Sequence, residues 1–578
     1  MKLYKIKALC ILAAGLLFNS CLDLDPQDQM AETNVWNTAS NFKLFANQFY
    51  GWTRDFSSSV YDAPHSDKRS DLIYDSNDKN NTFRKGTNSL TVSDGNWNNA
   101  YANIRRTNLL LKNAANYSKP DEIAEYVGEA KFFRAYCYFD LLQLFGDAII
   151  VKEPLDVTSG ELKAPRNDRS EVVDFMIQDL NEAAEQLPTT SAVENGRVGK
   201  EGAWAFLSRV ALYEGTWQKF RGNETRGKEL LDIAANAAKK VIDSKKFELF
   251  QPAILGDSAQ KYMFILEDTK SNPAGLFKAA NKEYILARRH DEILKRIGKN
   301  ITKECLLNVQ CISHKFAAMY LCSNGLPIEY NGKTNELFKG YDKIDSEFAN
   351  RDNRMRYTMA KPHDNFWNNE PTTSRVSWLG DAADMANVFK KDFKPNSGSG
   401  YNNQKWAAER QVETNNEGYD YPVIRYAEVL LNYAEAVYER DGAISDADLD
   451  ISLNLVRNRV NKSMPKLSNN LVTTNGLDMR TEIRRERTVE LYNEGFRIDD
   501  LKRWKTAETE MPQDFLGVKW KGTEFQTVYN NNSYPTNADG FLIIETGRKW
   551  AEKNYLYPIP SDQLRLNPNL KQNPGWED

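Results

Sequence analysis

Histidine is scarce in this chain. His65, His290, His314 and His363 are the four in 578 residues. No two of them stand at the spacing that aims two imidazoles at one metal ion, so the helical zinc-hydrolase arrangement is excluded. A glycine-rich phosphate loop and a nucleophile elbow are both missing, which removes P-loop nucleotide chemistry and α/β-hydrolase acyl transfer. Charge of one sign is missing too: 76 Lys and Arg face 80 Asp and Glu, a net charge of −4. So balanced a chain carries no electrostatic footprint for nucleic acid. Beyond the N-terminus no apolar run is long enough to span a bilayer. Carboxylates are plentiful, so counting alone leaves a glycosidase pair open, since such a pair is defined by its separation across a cleft.

What is present is an ordinary globular composition, 41% hydrophobic and 27% charged, on a chain long enough for a large core or several domains. Aromatics reach 11%, with 12 Trp and 27 Tyr. Sugar-binding surfaces need such rings, and buried helix seams use them as well.

The N-terminus carries a pattern of its own. Lys2, Lys5 and Lys7 precede the apolar run Ala8 to Phe18, which is too short to cross a membrane, and Asn19-Ser20 leads into Cys21. This reads as a lipoprotein signal peptide over residues 1–20, with Cys21 the lipidated residue, although Asn19 departs from the usual Ala or Ser. Residues 21–33 then form a tether. Of the six cysteines, Cys10 leaves with the signal and Cys137 sits in an apolar helical pattern as a buried thiol. Cys305, Cys311 and Cys322 cluster near His314. Their spacing fits no zinc pattern, and an exported location favours a disulfide or free thiols.

Helices dominate the periodicity. Asn34 to Tyr50 predicts a first helix; residues 54–95 then lack period and form a long polar loop, the kind that is usually functional in a compact protein. Trp97 to Ala115 predicts the next helix. Ser118 and Asp121 resemble a capping box with Pro120 in the first turn, opening a helix whose apolar faces on two sides place it between neighbours. Arg169 to Gln186, Gly199 to Trp217 and Arg226 to Ser244 continue the series, and Ala203, Ala205 and Ala211 let helices approach closely. Residues 251–419 change character, with a strand at Glu283 to Ala287 and a turn into another at Ser323 to Ile328. Pro422 to Glu439 and Asp446 to Val460 return to helix. The expected fold is mainly α: degenerate tetratricopeptide-like helix pairs as a scaffold, with an irregular α/β region inserted. Loops on such a scaffold are where binding usually lives.

The densest stretch is DMRTEIRRERTVELYNEGFRIDDLKRW, Asp478 to Trp504. Its spacing predicts a helix from Met479 to Glu494 stopped by Gly495, then a short helix through Leu501. Arg497, Asp500 and Arg503 share one face of the second, and the apolar residues among the charges argue for a buried position with paired arginines.

This stretch resembles the C-terminal signature of the SusD/RagB family of outer-membrane nutrient-binding lipoproteins. EAKFFRAYCYFDLLQLFGD at Glu129 to Asp147, NGLPI at Asn324 to Ile328, FANRDNRM at Phe348 to Met355, YPVIRYAEVLLNYAEAVYE, ISLNLVRNRV and LYPIPSDQLRLNPNLKQNPGW are similar to the family's other motifs, in family order. The resemblance implies a SusD-like N-terminal half over 34–250 and a C-terminal half over 251–578, the latter divided into an insert (251–419), a helical part (420–506) and a tail (507–578). It also implies a non-catalytic protein without a cofactor. Such a protein captures oligosaccharide at the cell surface and passes it to a SusC-like TonB-dependent outer-membrane transporter, held to the outer membrane through Cys21. Leu22-Asp23-Leu24-Asp25 resembles the surface-export signal of that group. A minority of relatives bind peptides, so peptide binding is the alternative, with a surface glycoside hydrolase third.

Binding residues in the family vary with ligand, so the candidates come from physics. Rings stack on sugar faces while Asp, Asn and Arg bond the hydroxyls. The two loop-rich zones offer Asp71, Tyr74, Arg84 and Trp97 in the first and Arg289, Trp367 and Trp378 in the second.

Overall fold

The helical periodicity becomes a continuous array. A computed structural model describes residues 36–306, 310–361, 364–369, 372–377, 391–392, 398–410, 415–528 and 533–577, with backbone alone at 306, 365–369, 372–377 and 391–392. The signal, Cys21, the tether and Trp378 lie outside the described residues. Helices α1 (Ala39–Asn47), α2 (Gly95–Ala114), α3 (Ala124–Phe145), α4 (Arg169–Gln186), α5 (Lys200–Lys219) and α6 (Glu224–Ser244) carry the first half. From α2 onward each packs on its chain neighbour. The fold is mainly α, as the periodicity predicts.

Helix α3 is buried around its circumference, with Phe132, Phe133, Tyr136 and Phe139 all inside. Helices α5 and α6 close on each other through glycines: a Cβ on Gly215 would lie 3.2 Å from the Gly227 carbonyl oxygen, and one on Gly227 3.0 Å from that of Gly215. No larger side chain fits that crossing without prising the backbones apart.

After α6 the chain leaves the array and returns as strand β6 (Tyr421–Arg425). This pairs antiparallel with β2 (Tyr284–Arg288), Tyr421 opposite Arg288 and Arg425 opposite Tyr284. Helix α7 (Tyr426–Asp441) follows and packs on both α6 and α5, so the second half extends the same array. A second, four-stranded sheet has the order β1 (Ile73–Tyr74), β3 (Cys311–Ile312), β5 (Asn402–Asn403), β4 (Met359–Ala360). A ribbon of β7 (Phe515–Lys519) and β8 (Phe541–Glu545) lies beyond it. One hydrophobic cluster runs from Phe42 to Leu570 through all of this.

Four sequence expectations shift. Pro422 to Arg425 is strand, not helix; Val423 and Ile424 suit a pleated surface, and helix starts at Tyr426. Ser118 and Asp121 make no cap: Pro120–Ile123 is a 3₁₀ turn and α3 begins at Ala124. Asp446 to Val460 breaks in two, because Ser452 takes a non-helical conformation before α8 (Leu453–Asn458). Helix α9 (Met479–Leu491) stops short of Glu494, and Asn493 (φ 57°) turns left-handed before Gly495 (φ 78°) does.

The charged stretch is buried, and its arginines are paired. Glu490 of α9 accepts from Arg425 at 2.8 Å, Arg459 at 2.5 Å and Arg354 at 3.2 Å. Glu283 accepts from Arg425 at 2.8 Å and Arg459 at 2.9 Å, and Glu494 accepts from Arg425 at 2.7 Å. These side chains come from the segment before β2, the short helix Asn353–Thr358, the end of β6, the loop after α8, α9 and the turn that follows it. In α10 (Arg497–Arg503), Arg503 meets Asp500 as the spacing predicts, while Arg497 reaches Asp71 instead. Ion pairs this deep roughly offset their own desolvation, so their effect is to fix which elements meet.

Candidate functional site

The loop joining α4 to α5 forms one wall of a pocket. Glu194-Asn195-Gly196-Arg197 makes a turn, closed by the Arg197 N–H donating to the Glu194 carbonyl at 2.9 Å, with Gly196 at φ 99°, a conformation that suits glycine. Strand β2 forms the opposite wall through Tyr284, Ile285 and Leu286, and Lys278, Asn281, Arg289 and Asp420 complete the rim. The enclosed volume is about 420 Å³. Rigid secondary structure thus carries an aromatic and aliphatic floor, and irregular segments carry the polar rim.

The charges around this pocket are mostly spoken for. The Lys278 ammonium donates to Asp420 at 2.6 Å and to the carbonyls of His290 and Gly418. The Arg197 guanidinium donates to Glu129 at 2.8 Å and to Asn47 at 2.6 Å. Glu194 pairs with Lys43 at 2.6 Å, and that hydrogen bond holds its carboxyl below the ordinary value. Arg289 is exposed and makes one hydrogen bond, to the Asn195 carbonyl at 3.3 Å. Its stem lies across the loop glycine: a Cβ on Gly196 would sit 2.9 Å from the Arg289 Cδ.

Of the other sequence candidates, three are internal ties. Asp71 is 3% exposed, gripped by Nε and Nη2 of Arg497, each at 2.8 Å, and by Lys315 at 2.9 Å, and these cations hold its carboxyl far below the usual range despite burial. Arg84 is fully buried on Glu545 at 2.8 Å and lies over the Tyr74 ring. Tyr74 is itself buried in β1. All three named as ligand candidates are thus buried, Asp71 and Arg84 with their polar groups turned to other parts of the chain. Trp97 packs edge-on against Phe145, centroids 5.1 Å apart, and also borders a separate, mainly apolar groove of about 570 Å³ between α2 and the C-terminal tail. Trp367 falls in a strand, Asn365–Asn369, whose side chains lie outside the described set. Among the candidates whose side chains are described, Arg289 alone lines the 420 Å³ pocket. Sequence reasoning missed the loop opposite it, although Asn195-Gly196 is a strong turn signal.

Among the described residues no three His, Cys, Asp or Glu gather as a metal site. Burial pushes the His314 imidazole down to about 4, and its ring packs on Phe541 with centroids 3.9 Å apart. Cys137 and Cys322 are buried, and burial raises both thiols.

Comparison with known proteins agrees with this architecture. Residues 274–576 match the family model described as the SusD family, and residues 22–212 match one described as starch-binding associating with outer membrane. SusD-like protein P2 of Formosa agariphila is 27% identical over 235 residues, 38% of this chain and 45% of that protein. The match therefore spans about half the length of that relative. A SusD-like protein of Bacteroides ovatus is 22% identical over 509 residues, 83% of this chain and 80% of its own. The crystal structure of a SusD-like carbohydrate binding protein from Bacteroides fragilis superposes with a TM-score of 0.71 at 21% identity, covering 93% of this chain and all of that one, a likeness of fold. With more than half of its length matched by the family model, the chain belongs to the SusD family.

Proposed function

We propose that the protein captures oligosaccharide at the cell surface, without cleaving it, and delivers it to a SusC-like TonB-dependent transporter, anchored to the outer membrane by lipid on Cys21. One observation carries the reading: a pocket with the Tyr284 ring in its wall and Asn281, Asn195 and Arg289 at its rim, set in a helical frame. Such a mixture suits a sugar, whose faces are apolar and whose edges are hydroxyls. The family membership and the carbohydrate-binding description of the B. fragilis relative support it. Neither carboxylate in the lining stands free as a glycosidase acid: Glu194 pairs with Lys43, which holds it below the ordinary value where such an acid needs a raised one, and Asp420 accepts from Lys278.

The test is a glycan array followed by calorimetry on the full-length chain in detergent. Saturable binding with the glycan recovered intact is the expected result. Release of shortened sugars, or tight binding of peptides with none of glycans, would replace this reading.

A further inference from the structure

We propose that the pocket takes an acidic sugar, a uronic acid residue of the captured oligosaccharide, with Arg289 as the counter-cation of its carboxylate. The inference rests on the capture reading above and narrows it to a substrate class.

The charge balance of the lining carries the argument. Lys278 is matched by Asp420, Arg197 by Glu129 with Glu125 also 3.5 Å away, and Glu194 by Lys43. Arg289 is the lining charge with no side-chain counter-ion among the described residues, and the lining itself sets Lys278, Arg197 and Arg289 against Asp420 and Glu194, one more positive charge than negative. Its exposed guanidinium gives a single hydrogen bond to a backbone oxygen, which leaves donors free for a ligand. A guanidinium presents those donors as a planar fork that fits a carboxylate with two parallel bonds, and neutral hydroxyls do not require that charge. The arm is also held in place. The Asn195 carbonyl fixes one end, and the stem lies over Gly196, where any side chain would displace it.

The experiment uses the full-length chain and an array of galacturonate, glucuronate and mannuronate oligosaccharides beside carboxyl-reduced forms of the same sugars. The best acid is then titrated calorimetrically against its reduced twin. The acid is expected to bind about tenfold tighter or more. Arg289→Ala should remove that preference, weakening the acid at least about tenfold more than its neutral twin, and the substitution is at an exposed arm, so the fold persists. Arg289→Lys should keep part of the preference, as a point charge without the fork. Raising salt should weaken the acid and spare its twin. Equal affinity for the two forms, or an Arg289→Ala loss shared equally between them, overturns the proposal while glycan capture stands. Failure of every sugar, or tighter binding of hexaglutamate peptide than of any sugar, removes the capture reading and this inference with it.

Discussion

Glu490 shows what a single side chain does here. Burial alone would raise its carboxyl, but Arg459, Arg425 and Arg354 more than reverse that and hold it well below the usual range. Glu490→Gln keeps the shape and removes the charge, which leaves three buried guanidiniums short of their counter-ion. The expected loss is about 3–5 kcal/mol, read as a lower urea midpoint at unchanged slope. Glu122→Gln, whose Lys119 partner is exposed, should leave the midpoint where it is. The same distant pairing explains why the candidate site was only partly legible in the sequence. Asp71 and Arg84 look like polar loop residues until their partners are known, and those are Arg497 and Glu545, more than 400 residues away. No local pattern announces such a tie. Arg289 was legible as a cation in a loop-rich zone, but its freedom depends on the pairing of Lys278, Arg197 and Glu194 around it.

Helices were legible where an apolar stripe ran long, and their ends were not. The stripe Leu449, Leu453, Val456 and Val460 is buried as its spacing demands, yet the helix breaks at Ser452, whose hydroxyl donates to the Asp448 carbonyl at 2.5 Å. A periodic stripe records which side faces inward, whereas a break depends on one backbone turn. Glycine ends differ among themselves in a testable way. Gly146 ends α3 at φ 78°, ψ −118°, and a Cβ there would lie 2.9 Å from Leu556 Cδ1. Gly442 ends α7 at φ 72°, ψ 4°, a left-handed cap with open space around it. Gly442→Ala should therefore cost about 1 kcal/mol, the conformational penalty alone. Gly146→Ala adds a clash to a backbone region that glycine all but monopolises, and should cost roughly 2–4 kcal/mol. Thermal unfolding of the two variants side by side checks the order; equal shifts would mean that the tail carrying Leu556 yields freely.

At the scale of the whole molecule, buried acids set the pH profile, and they pull in two directions. Asp67 has no exposed surface, and burial pushes its carboxyl up to about 7 against the backbone N–H groups of Asn493 and Arg497. Burial does the same to Glu347, also to about 7, with the Tyr401 hydroxyl donating to it at 2.7 Å. In an unfolded chain both would titrate near about 4. Glu129 is raised by burial to about 7 as well and adds to this, while the buried His314, lowered to about 4, opposes it; on balance, between about pH 4 and 7 the folded molecule keeps protons that the unfolded chain has released, so stability falls as pH rises through that window. Glu435 works the other way: burial would raise it, but Arg503 and Arg487 bring it down to about 2, and Glu490 and Asp71 are depressed as well. Their contribution is complete above about pH 4.5 and is lost as pH falls toward 2. The two arms cross to give maximal stability at about pH 4–5, on the acid side of the usual range. Urea midpoints from pH 3 to 8 measure this, and the Asp67→Asn, Glu347→Gln double variant should make the arm between pH 5 and 7 shallower while leaving the acid arm unchanged. A wild-type midpoint that climbs from pH 5 to 7 would mean that Asp67 and Glu347 ionise inside the fold at little cost, and that water or a cation reaches them there.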